Sequence, residues 1–172
     1  MPDFIIRPAT LDDAAGIATV QYHGWQQTYR GIISDAFLAA MTIEGGTELW
    51  KHNLQHPKGS IHVMVNDEDK VIAFSGAGRN RTVEFNCDAE LYALYLLKEY
   101  HGQGLGKKLF MFEMQGLIAA GYKSCFVHVL ADNPNVKFYR SFKPDLERSF
   151  TTTIGGQDCN DLCLAWSNIT TI

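Results

Sequence analysis

The run Glu90-Leu-Tyr-Ala-Leu-Tyr-Leu-Leu-Lys-Glu-Tyr-His-Gly-Gln-Gly-Leu-Gly-Lys-Lys-Leu109 reads as an apolar strand entering a loop with glycines at 102, 104 and 106, which then opens a helix bearing two lysines. Glycines let the backbone turn tightly and approach a ligand closely, so that successive N–H groups can converge on phosphate oxygens. The positive end of the helix dipole adds to the same field, with Lys107 and Lys108 nearby. This layout predicts an anion cradle for a phosphorylated ligand.

Two other glycine loops are excluded by particular residues. A P-loop needs a hydroxyl after Gly-Lys to hold magnesium, and Gly106-Lys107 is followed by Lys108. A dinucleotide fingerprint needs a third glycine at position 107, where Lys stands, and no acidic ribose ligand is evident on a second strand.

Upstream of the loop, a period of two marks residues 61–65 and 71–77 as strands of an antiparallel hairpin, joined by the polar turn 66–70. The strand into the loop covers 89–97, and its nearly continuous apolar run predicts burial on both faces. Downstream, a helix over 106–121, ended by Gly121, leads to a buried strand over 125–130. The order strand, loop, helix, strand implies a parallel right-handed crossover, with the loop at the carboxyl edge where α/β sheets bind ligands. A short helix over 133–142 begins with Pro134 just inside an Asn133 cap, and strands over 147–154 and 158–166 meet at a Gly155-Gly156 turn.

At the other end, 4–8 is a strand and Thr10 caps a helix over 11–29 that carries Trp25 and Tyr29. Ser34 caps a short helix. A third helix covers 47–55; its extension back to Ile43 is opposed by Gly45 and Gly46, at roughly 1 kcal/mol each.

With 172 residues and 46% hydrophobic content, the chain reads as one domain able to bury a core without metals or disulfides. A formal charge of −4 argues against nucleic acid as a partner and leans mildly toward a cationic one. Cys87, Cys125, Cys159 and Cys163 form no CxxC pair, and the first residues lack the features of a signal peptide. A cytoplasmic protein with reduced thiols is expected, with no membrane partner. His52 and His56 are four apart, but the Glu of a zinc-peptidase helix is missing and Pro57 ends the segment, so no metal is expected.

The run His101-Gly102-Gln103-Gly104-Leu105-Gly106 resembles the acetyl-CoA loop of the GNAT N-acetyltransferase superfamily: Arg or Gln, two residues, Gly, one residue, then Gly or Ala. It departs at the first position, where His101 can donate a hydrogen bond but lacks the fixed charge of Arg. Residues 129–139, with Asn133 ahead of the pair Phe138-Tyr139, are similar to the second family signature. Ile6-Arg-Pro-Ala-Thr10 and Tyr29-Arg-Gly-Ile-Ile33 are familiar from bacterial members, so the resemblance covers nearly the full length. The usual Gly-Phe after the second signature is replaced by Lys143-Pro144 or partly deleted, and Lys98 stands where a Pro often precedes the loop.

The resemblance implies an α/β (α+β) fold: a mixed central sheet of about seven strands, with a parallel splayed pair at the acetyl-CoA site, flanked by helices. It implies acetyl-CoA as co-substrate, held by the backbone at Leu94, Tyr95 and Leu96, by His101, Gly102, Gln103, Gly104, Leu105, Gly106 and Lys107, and by Asn133 and Tyr139. Asn133 sits one residue closer to Phe138 than is usual, which leaves Asn133 and Asn135 both open for the ligand-facing role. Tyr139 would protonate the departing thiolate, and Glu90, four residues before Leu94, would accept the ammonium proton. Trp25 and Tyr29 would wall the acceptor. His128, a lone polar residue on a buried strand, reads as a satisfied core histidine rather than a base. The expected activity is acetyl transfer to a primary amine of a small molecule, and a homodimer is compatible with it. A peptide acceptor and a silent acyl-CoA-binding domain are the alternatives.

Overall fold

In the computed structural model, which describes residues 3–82 and 85–172, seven strands form a single sheet. They are β1 (Ile5–Pro8), β2 (Ser60–Val65), β3 (Val71–Arg79), β4 (Ala89–Leu96), β5 (Cys125–Leu130), β6 (Leu146–Ile154) and β7 (Gln157–Trp166), in the order β1-β2-β3-β4-β5-β7-β6. Only β4 and β5 run parallel; every other pair is antiparallel. The helices are α1 (Ala14–Thr28), α2 (Asp35–Ala40), α3 (Ile43–Gln55), α4 (Leu105–Ala119) and α5 (Val136–Arg140).

The two faces of the sheet are sealed by different helices. Val63 and Phe74 pack with Ile17 and Val20 of α1, while Met64 and Ile72 pack with Leu105 and Leu109 of α4. Phe110 of α4 then ties that helix to the second half of the chain, stacking on Phe142 with ring centroids 4.0 Å apart and lying 5.4 Å from Trp166. Burial of one such ring contributes about 1.5–3 kcal/mol, and the pairing of rings adds about 0.5–1.5 kcal/mol. This packing fixes the start of α4 beside α5, which is where the glycine loop lies.

Several local expectations need correction. Thr10 does stand at the N-cap, but of a 3₁₀ turn over Leu11–Asp13 that precedes α1, and the Asp13 carboxylate reaches back to accept from Thr10 N–H (2.7 Å) and Oγ1 (3.1 Å). Arg7 donates to both Asp13 oxygens at 2.7 and 3.0 Å. Burial works against the Asp13 charge, but these hydrogen bonds outweigh it and hold the carboxyl below its ordinary value. Helix α3 starts at Ile43, not Thr47, because Thr42 caps it through Gly45 N–H at 3.0 Å. Gly46 packs closely against α1 there, since a Cβ would stand 3.2 Å from the Ala18 side chain.

Helix α4 ends as expected. Gly121 has φ 92°, and the N–H groups of Gly121 and Tyr122 bond the carbonyls of Ile118 and Leu117, a Schellman closure. Gly155 and Gly156 both have positive φ, as a tight hairpin between twisted strands requires.

Strand β4 departs most usefully from its prediction. Only Ala89, Glu90 and Leu91 are buried, while the next five residues are partly exposed. The ladder to β5 contains just three pairs, ending at Leu91↔Val127. On the opposite edge Ala77 pairs with Leu91 and Gly76 with Ala93, so Tyr92 is an extra, bulged residue. Beyond that bulge β4 and β5 part company, and the β5-facing backbone groups of 92–96 have no strand to bond.

Candidate active site

The separation of β4 from β5 opens a cleft of about 370 Å³. It is lined by Gly24, Gln27, Thr28 and Tyr29 of α1 and its C-cap, by Tyr92 to Leu96 of β4, by Val127 to Val129 of β5, and by the glycine loop and the segment around α5.

The loop itself is shaped by two left-handed residues, Gly102 (φ 77°) and Gly104 (φ 76°), a conformation that L side chains rarely adopt. Both glycines face open space, with no heavy atom within 4 Å of where a Cβ would be. The first backbone bond inside α4 runs from Lys108 N–H to Gly104 O, so the N–H groups of Leu105, Gly106 and Lys107 have no acceptor within the helix. Three orphan donors at a positive helix end, with Lys107 beside them, fit a phosphate. Lys108 is used elsewhere: its Nζ donates to Phe4 O at 3.0 Å and pins the start of the chain. His101 Nε2 donates to Leu96 O at 3.0 Å, closing the loop back onto β4.

Three phenols surround the cleft, those of Tyr29 and Tyr139 on buried residues and that of Tyr95 on a partly buried one. Tyr95 accepts from Trp25 Nε1 at 3.0 Å and stacks on Phe74. Tyr29 accepts from Asn133 Nδ2 at 3.1 Å. Tyr139 lies between Phe110 and Phe138 and is 7% exposed. Burial, chiefly, pushes all three upward from their ordinary values, and Tyr29 raises both Tyr95 and Tyr139 further. All three therefore remain protonated, able to donate a hydrogen bond at neutral pH.

The residues singled out from sequence are only partly brought together. Tyr29, Leu94, Tyr95, Leu96, His101, Gly102, Gly104, Leu105, Gly106, Lys107, Asn133 and Tyr139 line the cleft, and Asn135 lines it as well. Asn133 Oδ1 accepts from Asn135 N–H at 2.8 Å, so the two act as one turn ahead of α5. Gln103 does not line the cleft; its side chain turns back to Glu99 O. Trp25 stands behind Tyr95 and Tyr29 as a support rather than a lining residue.

Glu90, expected to accept the ammonium proton, is buried and held by a guanidinium. It is 4% exposed, its oxygens accept from Arg81 Nε (3.0 Å) and Nη2 (2.8 Å), and it does not line the cleft. The Arg81 guanidinium in turn lies 3.9 Å from the centre of the Tyr92 ring. The Tyr92 side chain packs close to Gly59 and Gly78, where a Cβ would come within 2.7 and 2.9 Å of its atoms.

His128, expected from sequence to be a satisfied core histidine, has a partner but stands at the edge of the cleft. The residue lines the cleft with its side chain 28% exposed, and its Nδ1 is 2.7 Å from Asp161 Oδ2. A polar residue one position past the end of a predicted parallel ladder would have been the signal, but the point of splaying is set by the Tyr92 bulge. Among the described residues no cluster of three or more metal-ligating side chains occurs, and no helix is long and apolar enough to cross a membrane.

Comparison with known proteins places this architecture. Residues 22–143 match the Acetyltransferase (GNAT) family. An uncharacterized N-acetyltransferase, YuaI, of Bacillus subtilis (strain 168) is 30% identical over 167 residues, covering 97% of this chain and 95% of the relative. Among solved structures, the PaiA N-acetyltransferase of Thermoplasma acidophilum in complex with coenzyme A superposes with a TM-score of 0.64 at 21% identity, over 93% of this chain and 98% of that one. YncA of Salmonella typhimurium, a structure with its cofactor acetyl-CoA, superposes with a TM-score of 0.67 at 15% identity, over 95% and 92% of the two chains.

Proposed function

Since this chain belongs to the GNAT acetyltransferase family and is an acetyltransferase, we propose that it takes the acetyl group from acetyl-CoA and transfers it directly to the primary amine of a small molecule. The observation that carries the reading is the cleft itself: an anion cradle at one end, a row of strand-free backbone on β4 in the middle, and a buried phenol beside the gap. In this reading the Leu105, Gly106 and Lys107 N–H groups hold the pyrophosphate, and the exposed backbone of 92–96 holds the pantetheine amides and polarises the thioester oxygen. Acetyl-CoA supplies the activated acetyl group.

Tyr139 serves the leaving sulfur. Its burial keeps the phenol protonated, so it meets the developing thiolate as a hydrogen-bond donor in a site largely shielded from water. The acceptor enters from the α1 side, where the Tyr29 ring lines the cleft and suits an ammonium or an apolar group. The small volume favours a small acceptor, because the pantetheine arm occupies much of the 370 Å³.

The test is a thiol-release assay with acetyl-CoA and a panel of polyamines, amino acids, aminoglycosides and peptides, run beside calorimetry with acetyl-CoA. Turnover of a small amine supports the reading. Turnover of peptides alone replaces the acceptor class, and binding without any turnover identifies a silent acyl-CoA-binding domain instead.

A further inference from the structure

Two helices meet the cleft with opposite ends. Helix α4 presents its start, where three N–H groups lack an acceptor within the helix and Lys107 lines the cleft beside them. Helix α1 presents its carboxyl end, and Gln27, Thr28 and the C-cap Tyr29 line the cleft there. Trp25 O accepts from Tyr29 N–H, but among the described residues the carbonyls of Gln26, Gln27 and Thr28 accept from no backbone N–H. A 15-residue helix that ends in this way carries about half a negative charge at that end.

A second, independent source of negative potential lies close by. Asp161 of β7 is opposite Leu130, the last residue of β5, and its carboxylate is 14% exposed, 2.7 Å from His128 Nδ1. Burial does most to raise the Tyr29 phenol, and the Asp161 charge raises it further, so the field of that carboxylate reaches the α1 end of the cleft. The nearby cations stand elsewhere: Arg30 follows α1 but is exposed and does not line the cleft, and the Arg148 guanidinium of β6 lies 5.0 Å from the centre of the Phe85 ring.

We propose that the carboxyl end of α1, reinforced by Asp161, is the ammonium subsite of the acceptor, and that it selects amines whose remainder carries no anionic group. The proposal rests on the acetyltransferase reading above and names the acceptor class more narrowly. An alkylamine is an ammonium at neutral pH, so it meets unpaired carbonyls, the Tyr29 ring and a nearby carboxylate as a favourable charge. A zwitterionic amino acid brings its own carboxylate within a few ångströms of the same groups. Through a cleft of intermediate dielectric, that repulsion is worth about tenfold in specificity. Among the described residues no Asp or Glu side chain lines the cleft, so a single ammonium matches the subsite without a second point of ionic attachment.

The experiment compares 4-aminobutanamide with 4-aminobutyrate, which share size and shape and differ in the charge of the tail. The kcat/KM of each is measured with wild type, Gln27→Lys and Asp161→Asn, and binding of each to enzyme saturated with coenzyme A is followed by ligand-observed NMR, which needs no turnover. Wild type is expected to favour the amide by about tenfold in both readouts. Gln27 is exposed and lysine is a good helix former, so Gln27→Lys should fold, keep its acetyl-CoA affinity and abolish or invert the preference. Asp161→Asn should reduce the preference about threefold. Equal use of the two compounds by wild type, a preference for 4-aminobutyrate, or a preference that survives unchanged in Gln27→Lys overturns the subsite and leaves the acetyltransferase reading intact. Selective binding of the amide without acetylation upholds the subsite and removes the catalytic reading. If neither compound binds or is acetylated, the subsite is overturned.

Discussion

The two ends of the cleft are built by different means. The end proposed for the donor is backbone: left-handed Gly102 and Gly104, the orphan N–H groups at the start of α4, and the unpaired edge of β4. The end proposed for the acceptor is side chains joined across long stretches of sequence, with Trp25 on Tyr95, Asn133 on Tyr29 and His128 on Asp161. A backbone device depends on a few consecutive residues and tolerates almost any neighbours, whereas a side-chain device depends on how distant elements meet. The donor end should therefore fail through single backbone changes, and the acceptor end through loss of a partner.

The largest effect expected is at the donor end. Gly104→Asp forces a side chain into the left-handed region, at about 1–2 kcal/mol, and puts a carboxylate where the three orphan donors converge. Together these should weaken acetyl-CoA by about 1000-fold in calorimetry, roughly 4 kcal/mol. Because the open space around Gly104 avoids a clash, the variant should still fold; a Kd within a few-fold of wild type would place the pyrophosphate elsewhere.

Tyr139 sits where the two ends meet. Tyr139→Phe should lower turnover by about 100-fold while changing acetyl-CoA affinity little, the signature of an interaction made only in the transition state. Unchanged turnover would mean that the sulfur takes its proton from water.

Asp13 lies away from the cleft and separates stability from function. Asp13→Asn removes charge-assisted bonds from Arg7 and Thr10 and should cost about 2 kcal/mol in denaturant unfolding, with turnover of the folded enzyme unaffected. The sign of its pH dependence follows from the depressed folded value. The stabilisation is fully present above the ordinary carboxylate pKa and disappears as pH falls through the lower folded one, so wild type and variant should converge in stability at acid pH.

What the sequence revealed follows the same division. The glycine loop, the Gly121 helix stop, the Gly155-Gly156 turn and the parallel crossover were legible because each depends on local backbone chemistry. The surroundings of Glu90 and His128 were not. Reading Glu90 as the acceptor of the ammonium proton did not foresee that Arg81, on the β3–β4 connection, holds its oxygens, and His128 looked like core because nothing near it in sequence announces where β5 loses its neighbour. The reach of α3 back to Ile43 was masked by Gly45 and Gly46, whose low helix propensity is offset by the Thr42 cap and by close contact with α1.

Trp25 gives the smallest expected effect and the sharpest test of the acceptor end. Sequence placed it as a wall for the acceptor, while the structure sets it behind the lining, donating to Tyr95 and packed 4.8 Å from the Tyr29 ring centre. As a support, Trp25→Phe removes one hydrogen bond to a buried phenol and some ring area, costing about 1–2 kcal/mol. For a chain of this size that shifts the melting temperature by roughly 3–6 °C. Tyr95 remains stacked on Phe74, so the cleft keeps its shape and the acceptor KM should stay within about threefold of wild type. As a wall, the same substitution would change a surface that touches the acceptor, and losing a cation–π face would raise KM by about tenfold or more with little change in melting. Melting temperature and acceptor KM, measured on one variant, therefore move in opposite proportion under the two readings, and the ratio decides between them.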